Sequence, residues 1–384
     1  AASVSSSSAT TTNSDQQGGG RSAAQRAESL LQHMQTIYQI NGEESMKPNT
    51  YSYNCVINAW ARSGEVGAPK KAEDILNKML QRYNNTTTNQ TNVDAVIPEP
   101  DHVSFNCVIN AWAKSSPSHH RNTAPQQHAE NLLAKMDELY KQTRNPNHKP
   151  NVRTYTSVLD AYAKSGSTDA ASHAEELLQR MEELYQYSYL DERPNTFTYS
   201  VVIHTWSRSK DPNKAQKALR LLTRMEELSG SSQSQGRNAN VRPSIVTYNS
   251  VLNACASSVG STSAVEKMEA FQIATRIYDK LHSSQNGNGP ITPDHFTYGT
   301  YLKACANLMP VESMERSNLL QQVFQDCCDN GQVSDGVVTV LRQAAPAELY
   351  RFLLKGCLLE KSQGGDGVKV KQLPKEWVRN LKER

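Results

Sequence analysis

The sequence predicts an all-α solenoid of helix–turn–helix repeats, and three observations predict it. First, one phrase is written six times along the 384 residues: YSYNCVINAWARS (51–63), VSFNCVINAWAKS (103–115), RTYTSVLDAYAKS (153–165), FTYSVVIHTWSRS (197–209), VTYNSVLNACASS (246–258) and FTYGTYLKACANL (296–308). Self-similarity at this period is the mark of a stacked repeat array. Second, the apolar residues of each phrase recur at i, i+3, i+4 and i+7, as in Tyr53, Val56, Ile57 and Trp60 or Phe105, Val108, Ile109 and Trp112. That spacing is one face of an α-helix. Third, a second run follows with the same spacing: Ala72, Ile75, Leu76, Met79; Ala129, Leu132, Leu133, Met136; Ala174, Leu177, Leu178, Met181; Ala218, Leu221, Leu222, Met225. Two amphipathic helices per repeat cannot bury their faces alone, so neighbouring repeats must stack.

From the N-terminus, residues 1–22 are rich in Ser, Thr, Gln and Gly with almost no apolar content, and are expected to be disordered. The chain begins with Ala rather than Met, so its native N-terminus is expected to be missing and a targeting peptide cannot be judged. Residues 23–49 read as a partial repeat, a second helix carried by Ala27, Leu30, Leu31 and Met34. Six repeats follow at 50–101, 102–151, 152–195, 196–244, 245–294 and 295–335. In each, a hydroxyl (Ser52, Ser104, Thr154, Thr198, Thr247, Thr297) precedes the aromatic residue and is placed to cap the helix start. An upstream Pro stops the preceding segment. Polar inserts at Asn84–Pro98, Ser115–Pro125, Ser229–Arg242 and Ser283–Thr292 are expected to leave the stack as loops, since lengthening a loop costs only about 0.6 kcal/mol per doubling. His119 and His120 in one insert read as solvated. Residues 336–384 read as a cap helix followed by a basic tail, with eight Lys/Arg against four Asp/Glu from Lys355 onward. The tail ends in LPKEWVRNLKER, either a basic helix for RNA or a partner, or a solvated cap.

Composition narrows the function. Lys and Arg number 41 against 38 Asp and Glu, which excludes a wholesale basic coat but leaves room for a basic stripe on one face. Seven Cys occur with no Cys-x-x-Cys pair. Cys55 and Cys107 fill one slot of successive repeats, and Cys255 and Cys305 fill another that elsewhere holds Trp or Tyr. Both slots, with the adjacent Cys327 and Cys328, read as small apolar packing rather than metal ligands or disulfides. A reducing, intracellular compartment follows. No apolar stretch is long enough to span a membrane. The paired deaminase signature of His-x-Glu with Pro-Cys-x-x-Cys is absent, and residues 336–384 are too short for an independent nuclease. No catalytic residue, metal ligand or cofactor is assigned.

The phrase Pro-Asp/Asn, then Thr-Tyr-Asn-x-Leu-Ile-x-Ala-x-Ala-Lys, then Ala-x-x-Leu-Leu-x-x-Met resembles the pentatricopeptide repeat over about residues 24–340. The resemblance implies a right-handed α-solenoid that binds single-stranded RNA, one base per repeat, read by a few side chains. In the family, bases are read by the residue after the aromatic and by the last residue of the repeat. Those positions hold Asn54 with Asp101, Asn106 with Asn151, Thr156 with Asn195, Ser200 with Ser244, Asn249 with Asp294, and Gly299 with Asp335. Asn, Asp and Ser also serve as caps and turn residues, which accounts for the last position but not for the first. Carried over pair by pair, the resemblance implies 5′-U-C/U-A-A-U-(G)-3′. Base stacking is implied for Tyr51, Val103, Arg153, Phe197, Val246 and Phe296. Phosphate contact is expected at Arg62, Lys114, Lys164 and Arg208, a basic row that becomes Ser257 and Asn307 in the last two repeats. The same cations suit a helix C-terminus. The expected partner is therefore single-stranded RNA, bound by a monomer without chemistry, in a mitochondrion or plastid as for most of the family. Two alternatives stay open: a helical scaffold for protein partners, and the RNA-binding portion of a larger RNA-processing enzyme.

Overall fold

Each repeated phrase becomes a helix because its first turn is closed from both sides. In the computed structural model, which describes residues 22–87, 98–115, 124–230, 239–258, 263–283, 291–355 and 373–381, the helix starts share one construction. Asn49, Asp101, Asn151, Asn195, Ser244 and Asp294 are the N-caps. The side chain of each accepts from the backbone N–H three residues on, at Ser52, Ser104, Thr154, Thr198, Thr247 and Thr297. This corrects the expectation that the hydroxyl itself is the cap. The hydroxyl sits at the third helical position and, except at Thr198, completes a reciprocal capping box. The preceding Pro48, Pro100, Pro150, Pro194, Pro243 and Pro293 are all buried.

Among the described residues all regular structure is helical, with sixteen α-helices and no strand. They fall into two compact units, within residues 1–115 and 116–384. The first unit holds α1 (Ala23–Asn41), α2 (Thr50–Ser63), α3 (Ala68–Thr87) and α4 (His102–Lys114). There α2 packs beside α4, with α1 and α3 against their flank. The second unit runs from α5 (Pro125–Thr143) through α6 (Val152–Ser165), α7 (Ala170–Gln186), α8 (Thr196–Arg208) and α9 (Lys214–Gly230) to α10 (Ile245–Ala256). It continues with α11 (Ala264–Ser283), α12 (His295–Leu308), α13 (Met314–Asp329), α14 (Asp335–Ala344), α15 (Ala347–Leu353) and α16 (Lys375–Val378). Within it α6, α8, α10, α12 and α14 stack side by side, each joined to the second helices around it. Short 3₁₀ turns, such as Pro146–His148, lead into the next N-cap.

The core is the pair of apolar faces read from the periodicity. Phe105, Tyr155, Tyr199 and Tyr298 are fully buried, as are Met79, Met136, Met181 and Met225. The aromatic slot near the end of the first helix has a second role. Trp60 Nε1, Tyr162 Oη and Trp206 Nε1 donate to Glu28, Glu130 and Glu175 of the preceding second helix, at 3.2, 2.9 and 2.8 Å. Cys255 and Cys305, which replace them, are buried, and burial pushes both thiols up to about 12. Tyr248 Oη likewise donates to Glu226 at 2.9 Å.

Two expectations are corrected, and one of the two alternatives for the tail is favoured. Cys55 is exposed and Cys107 only half-buried; at 100° per residue, Cys55 lies on the far side of the helix from Tyr53. Leu30 is 65% exposed, whereas Leu31 beside it is buried. An internal second helix such as α3 is covered by first helices on both sides, α2 and α4, but Leu30 has turned away from α2. The end of the tail, expected as a basic helix for RNA or a partner or as a solvated cap, packs as a cap with Lys375, Glu376, Arg379 and Asn380 exposed. The Trp377 carbonyl accepts from Val333 N–H at 2.9 Å, and Asn380 N–H donates to the Gly331 carbonyl at 3.0 Å. The Trp377 ring meets Phe324 edge-on at 5.8 Å. The Arg379 guanidinium donates to the Asp329 carbonyl, and Asn380 Nδ2 donates to that of Asn330 at 2.8 Å. Residues 373–381 thus close the C-terminus of α13, where a cation and amide donors offset the exposed carbonyls.

Of the inserts, α3 reaches Thr87 and α9 reaches Gly230, so helix enters the spans assigned to loop. The remaining insert cores, including His119 and His120, the N-terminal residues 1–21, and 356–372 of the tail lie outside the described residues.

Candidate functional site

The N-cap sets a register from which every candidate residue can be placed. Two residues after it come the stacking candidates. Tyr51 is 76% exposed, and Phe197, Val246 and Phe296 are 64%, 62% and 52% exposed; Val103 and Arg153 are exposed as well. Apolar side chains normally leave the surface when a core is available. Phe197, Val246 and Phe296 each stand directly before a fully buried Thr, so their exposure is not a failure of local packing.

Five residues after the N-cap comes the first reading position. Asn54, Asn106, Thr156 and Ser200 are buried and Asn249 is half-buried. Buried polar groups need partners, and within each unit the partner is the second reading residue or the hydroxyl it caps. In the first unit Asn54 Nδ2 donates to Asp101 Oδ1 at 3.0 Å, while Ser104 Oγ donates to Asn54 Oδ1 at 2.6 Å. The second unit builds the same triangle: Asn249 Nδ2 donates to Asp294 Oδ1 at 3.0 Å and Thr297 Oγ1 to Asn249 Oδ1 at 2.8 Å. Thr156 Oγ1 lies 3.0 Å from Thr198 Oγ1, which donates to Asn195 Oδ1 at 3.2 Å. Ser200 Oγ lies 2.7 Å from Thr247 Oγ1, itself 3.1 Å from Ser244 Oγ. Each of these four pairs therefore converges on one hydroxyl at the third helical position. The sequence reading gave that hydroxyl only a capping role. Its signal was the fixed spacing of three residues between the last residue of one repeat and the Ser or Thr of the next. Asn106 belongs to the first unit and Asn151 caps α6 in the second.

The arrangement also sets a charge. Burial works against the Asp101 carboxylate, but hydrogen bonds from the Ser104 backbone, Asn54 and the Ser104 hydroxyl outweigh it and hold its pKa below the ordinary 3.8. Asp101 is thus ionised in a polar triangle that still has lone pairs to offer.

Family models match two stretches of the chain. Residues 138–209 match a pentatricopeptide repeat domain, and residues 51–83 match a single PPR repeat. The chain is a pentatricopeptide repeat protein. These repeats define a family of RNA-binding helical repeat proteins whose members are commonly organellar. No curated protein matches the chain.

In this pentatricopeptide repeat protein the register corrects one site residue. The position equivalent to Asn49, Asp101 and the rest is Ser334, the N-cap of α14, and the Pro slot before it is held by buried Val333. Asp335 is the first residue inside α14. The missing Pro had removed the landmark that aligns the other repeats. The hydroxyl position is then Val337 in place of Ser or Thr. A Cβ on Gly299 would lie 3.8 Å from Val337 Cγ2, so an apolar side chain stands here where the other repeats place their hydroxyl.

Arg62, Lys114, Lys164 and Arg208 are exposed near the ends of α2, α4, α6 and α8. The residues that replace them face inward: Ser257 Oγ donates to the Ser207 carbonyl at 3.0 Å and Asn307 Nδ2 to the Ala256 carbonyl at 2.7 Å. They satisfy the end of the preceding first helix. One turn before Asn307, on the same stripe of α12, Lys303 is exposed. It is a cation in the last repeat that the position-by-position reading passed over. Among the described residues no helix is long and apolar enough to cross a membrane.

Proposed function

We propose that the chain is a sequence-specific single-stranded RNA-binding protein of a mitochondrion or plastid, acting in RNA processing, stability or translation by occupying its site without chemistry of its own. The observation that carries this reading is the row of exposed Tyr51, Phe197 and Val246, each three residues before a buried or half-buried hydrogen-bonding side chain, Asn54, Ser200 and Asn249. Stacking surfaces beside fixed donors and acceptors suit unpaired bases, whose faces stack and whose Watson–Crick edges hydrogen-bond. Exposed Arg62, Lys114, Lys164 and Arg208 lie near the ends of α2, α4, α6 and α8 and suit the backbone. By resemblance, Asn54 with Asp101 takes U. Thr156 with Asn195, Ser200 with Ser244, and Asn249 with Asp294 take A, A and U, and Gly299 makes no selection.

The test exploits a pair that can be changed without disturbing the fold. Asn195 caps α8 by accepting from Thr198 N–H at 3.1 Å, and Asp performs that role at Asp101 and Asp294. Asn195→Asp therefore keeps the helix start but replaces a donor–acceptor amide by acceptors alone. The edge of A offers one donor and one acceptor; that of G adds N–H donors. Gel shifts with single-stranded RNA containing 5′-UCAAUG-3′ are expected to show wild-type preference for A at the third base. Asn195→Asp is expected to move it towards G, by about 1–3 kcal/mol if the pair behaves like other specific base contacts. No binding at low salt, or an unchanged preference in Asn195→Asp, sinks the reading.

A further inference from the structure

The cationic row is not uniform. Lys164 Nζ is 2.5 Å from Asp160 Oδ2, one turn earlier on α6. Among the described residues, Arg62, Lys114 and Arg208 have no carboxylate at ion-pair distance. Thr156, Asp160 and Lys164 are spaced by four residues and form one stripe of the helix, so the carboxylate stands between a base-reading group and a phosphate-binding group. Ser200, His204 and Arg208 form the same stripe on α8, which packs on α6. The proton affinity of His204 is lowered by burial and by Arg208 and raised by Asp160. Asp160 is thus within electrostatic reach of the neighbouring stripe. The corresponding positions of the other repeats hold Asn58, Asn110, His204, Asn253 and Lys303, so Asp160 is the one acidic residue in the row.

We infer that Asp160 is an intramolecular competitor for the RNA backbone: it occupies Lys164 and weakens the grip of this repeat on phosphate. A phosphodiester reaching Lys164 must displace a carboxylate already within hydrogen-bond distance and must also lie near its negative charge. The repeat is left to select its base while contributing little sequence-independent affinity. The inference rests on the RNA-binding reading and adds a residue outside the base-reading, stacking and phosphate rows.

The experiment uses the full chain and the 5′-UCAAUG-3′ oligonucleotide, with the dissociation constant followed over a series of potassium chloride concentrations. Asp160→Asn is expected to bind roughly two- to fivefold tighter, the range open to an exposed ion pair. Its dependence of log K on log salt is expected to steepen by about 0.7, one further phosphate neutralised on a single strand. When Lys164→Met is already present, the slope increment from Asp160→Asn is expected to vanish, because no ammonium remains to be released. A merely helix-stabilising ion pair would move the melting temperature and leave the slope alone. If wild type binds and Asp160→Asn matches it in affinity and slope, or if the increment persists without Lys164, the inference is overturned while the RNA reading stands. Failure of wild type to bind at the lowest salt overturns both.

Discussion

Asp101 shows how much one residue carries. It caps α4, closes a box with Ser104 and holds Asn54 in place. Its folded pKa lies below the ordinary 3.8, so ionisation is favoured by folding. The stabilisation is complete above the unfolded value and is lost as pH falls through the folded one. Asp101→Asn should keep the cap but remove this dependence. In thermal melts from neutral pH down to acid, the variant is expected to lose less stability than wild type once the pH drops below about 4, the ordinary carboxylate value. Equal acid sensitivity would mean that the triangle does not hold the charge. The residue scale is also where the sequence reading was strongest and weakest. The polar letters beside the aromatic stood out in the sequence as the positions that vary. Their burial, and the shared hydroxyl that joins them, were not legible, because partners such as Asn54 and Asp101 lie 47 residues apart and meet only when repeats stack.

At the scale of elements, helix boundaries were readable because caps, Pro and periodicity all signal locally. What joins one element to another was less so. Arg316 is an example: no motif marks it, yet it is buried at 4% exposure. Its guanidinium donates to the Met309 carbonyl at 3.3 Å and the Ala344 carbonyl at 2.6 Å, tying together the C-terminal ends of α12 and α14. A cation between two helix C-termini meets both dipoles. Arg316→Met removes charge-assisted hydrogen bonds worth about 1.5–3 kcal/mol each at most. Hydrogen exchange is expected to show lost protection in α12 and α14, with α6 and α8 unchanged; a uniform loss, or none, would contradict this local role. The seventh first helix, α14, was read as a cap because Val333 stands where Pro was expected. Only its packing against α12 reveals the continued register and moves the equivalent position from Asp335 to Ser334.

For the whole molecule, repetition implies that recognition and stability are spread over similar parts, each depending mainly on its neighbours. Phe197 tests the separation of the two. It is 64% exposed and contributes little to the core, yet it is expected to stack a base. Phe197→Ala should cost about 1–3 kcal/mol of RNA affinity and leave the melting temperature within error. A large drop in thermal stability without a change in binding would assign the residue to folding instead. The basic row fades after Arg208, where Ser257 and Asn307 turn inward to satisfy neighbouring helix ends, and Lys303 alone carries charge on the corresponding stripe of α12.

By itself the sequence determined the all-α class, the repeat unit, the apolar faces and the positions that vary among repeats. All of these are set by spacing along the chain: 3.6 residues per turn, a Pro before each cap, a phrase that recurs. Tertiary structure alone decided which polar residues meet. Asn54 finds Asp101 and Ser104, Thr156 finds Thr198, and the far end of the tail returns to close α13. Hydrogen bonds and ion pairs between distant segments depend on distances in space, and those exist only once the apolar faces have stacked.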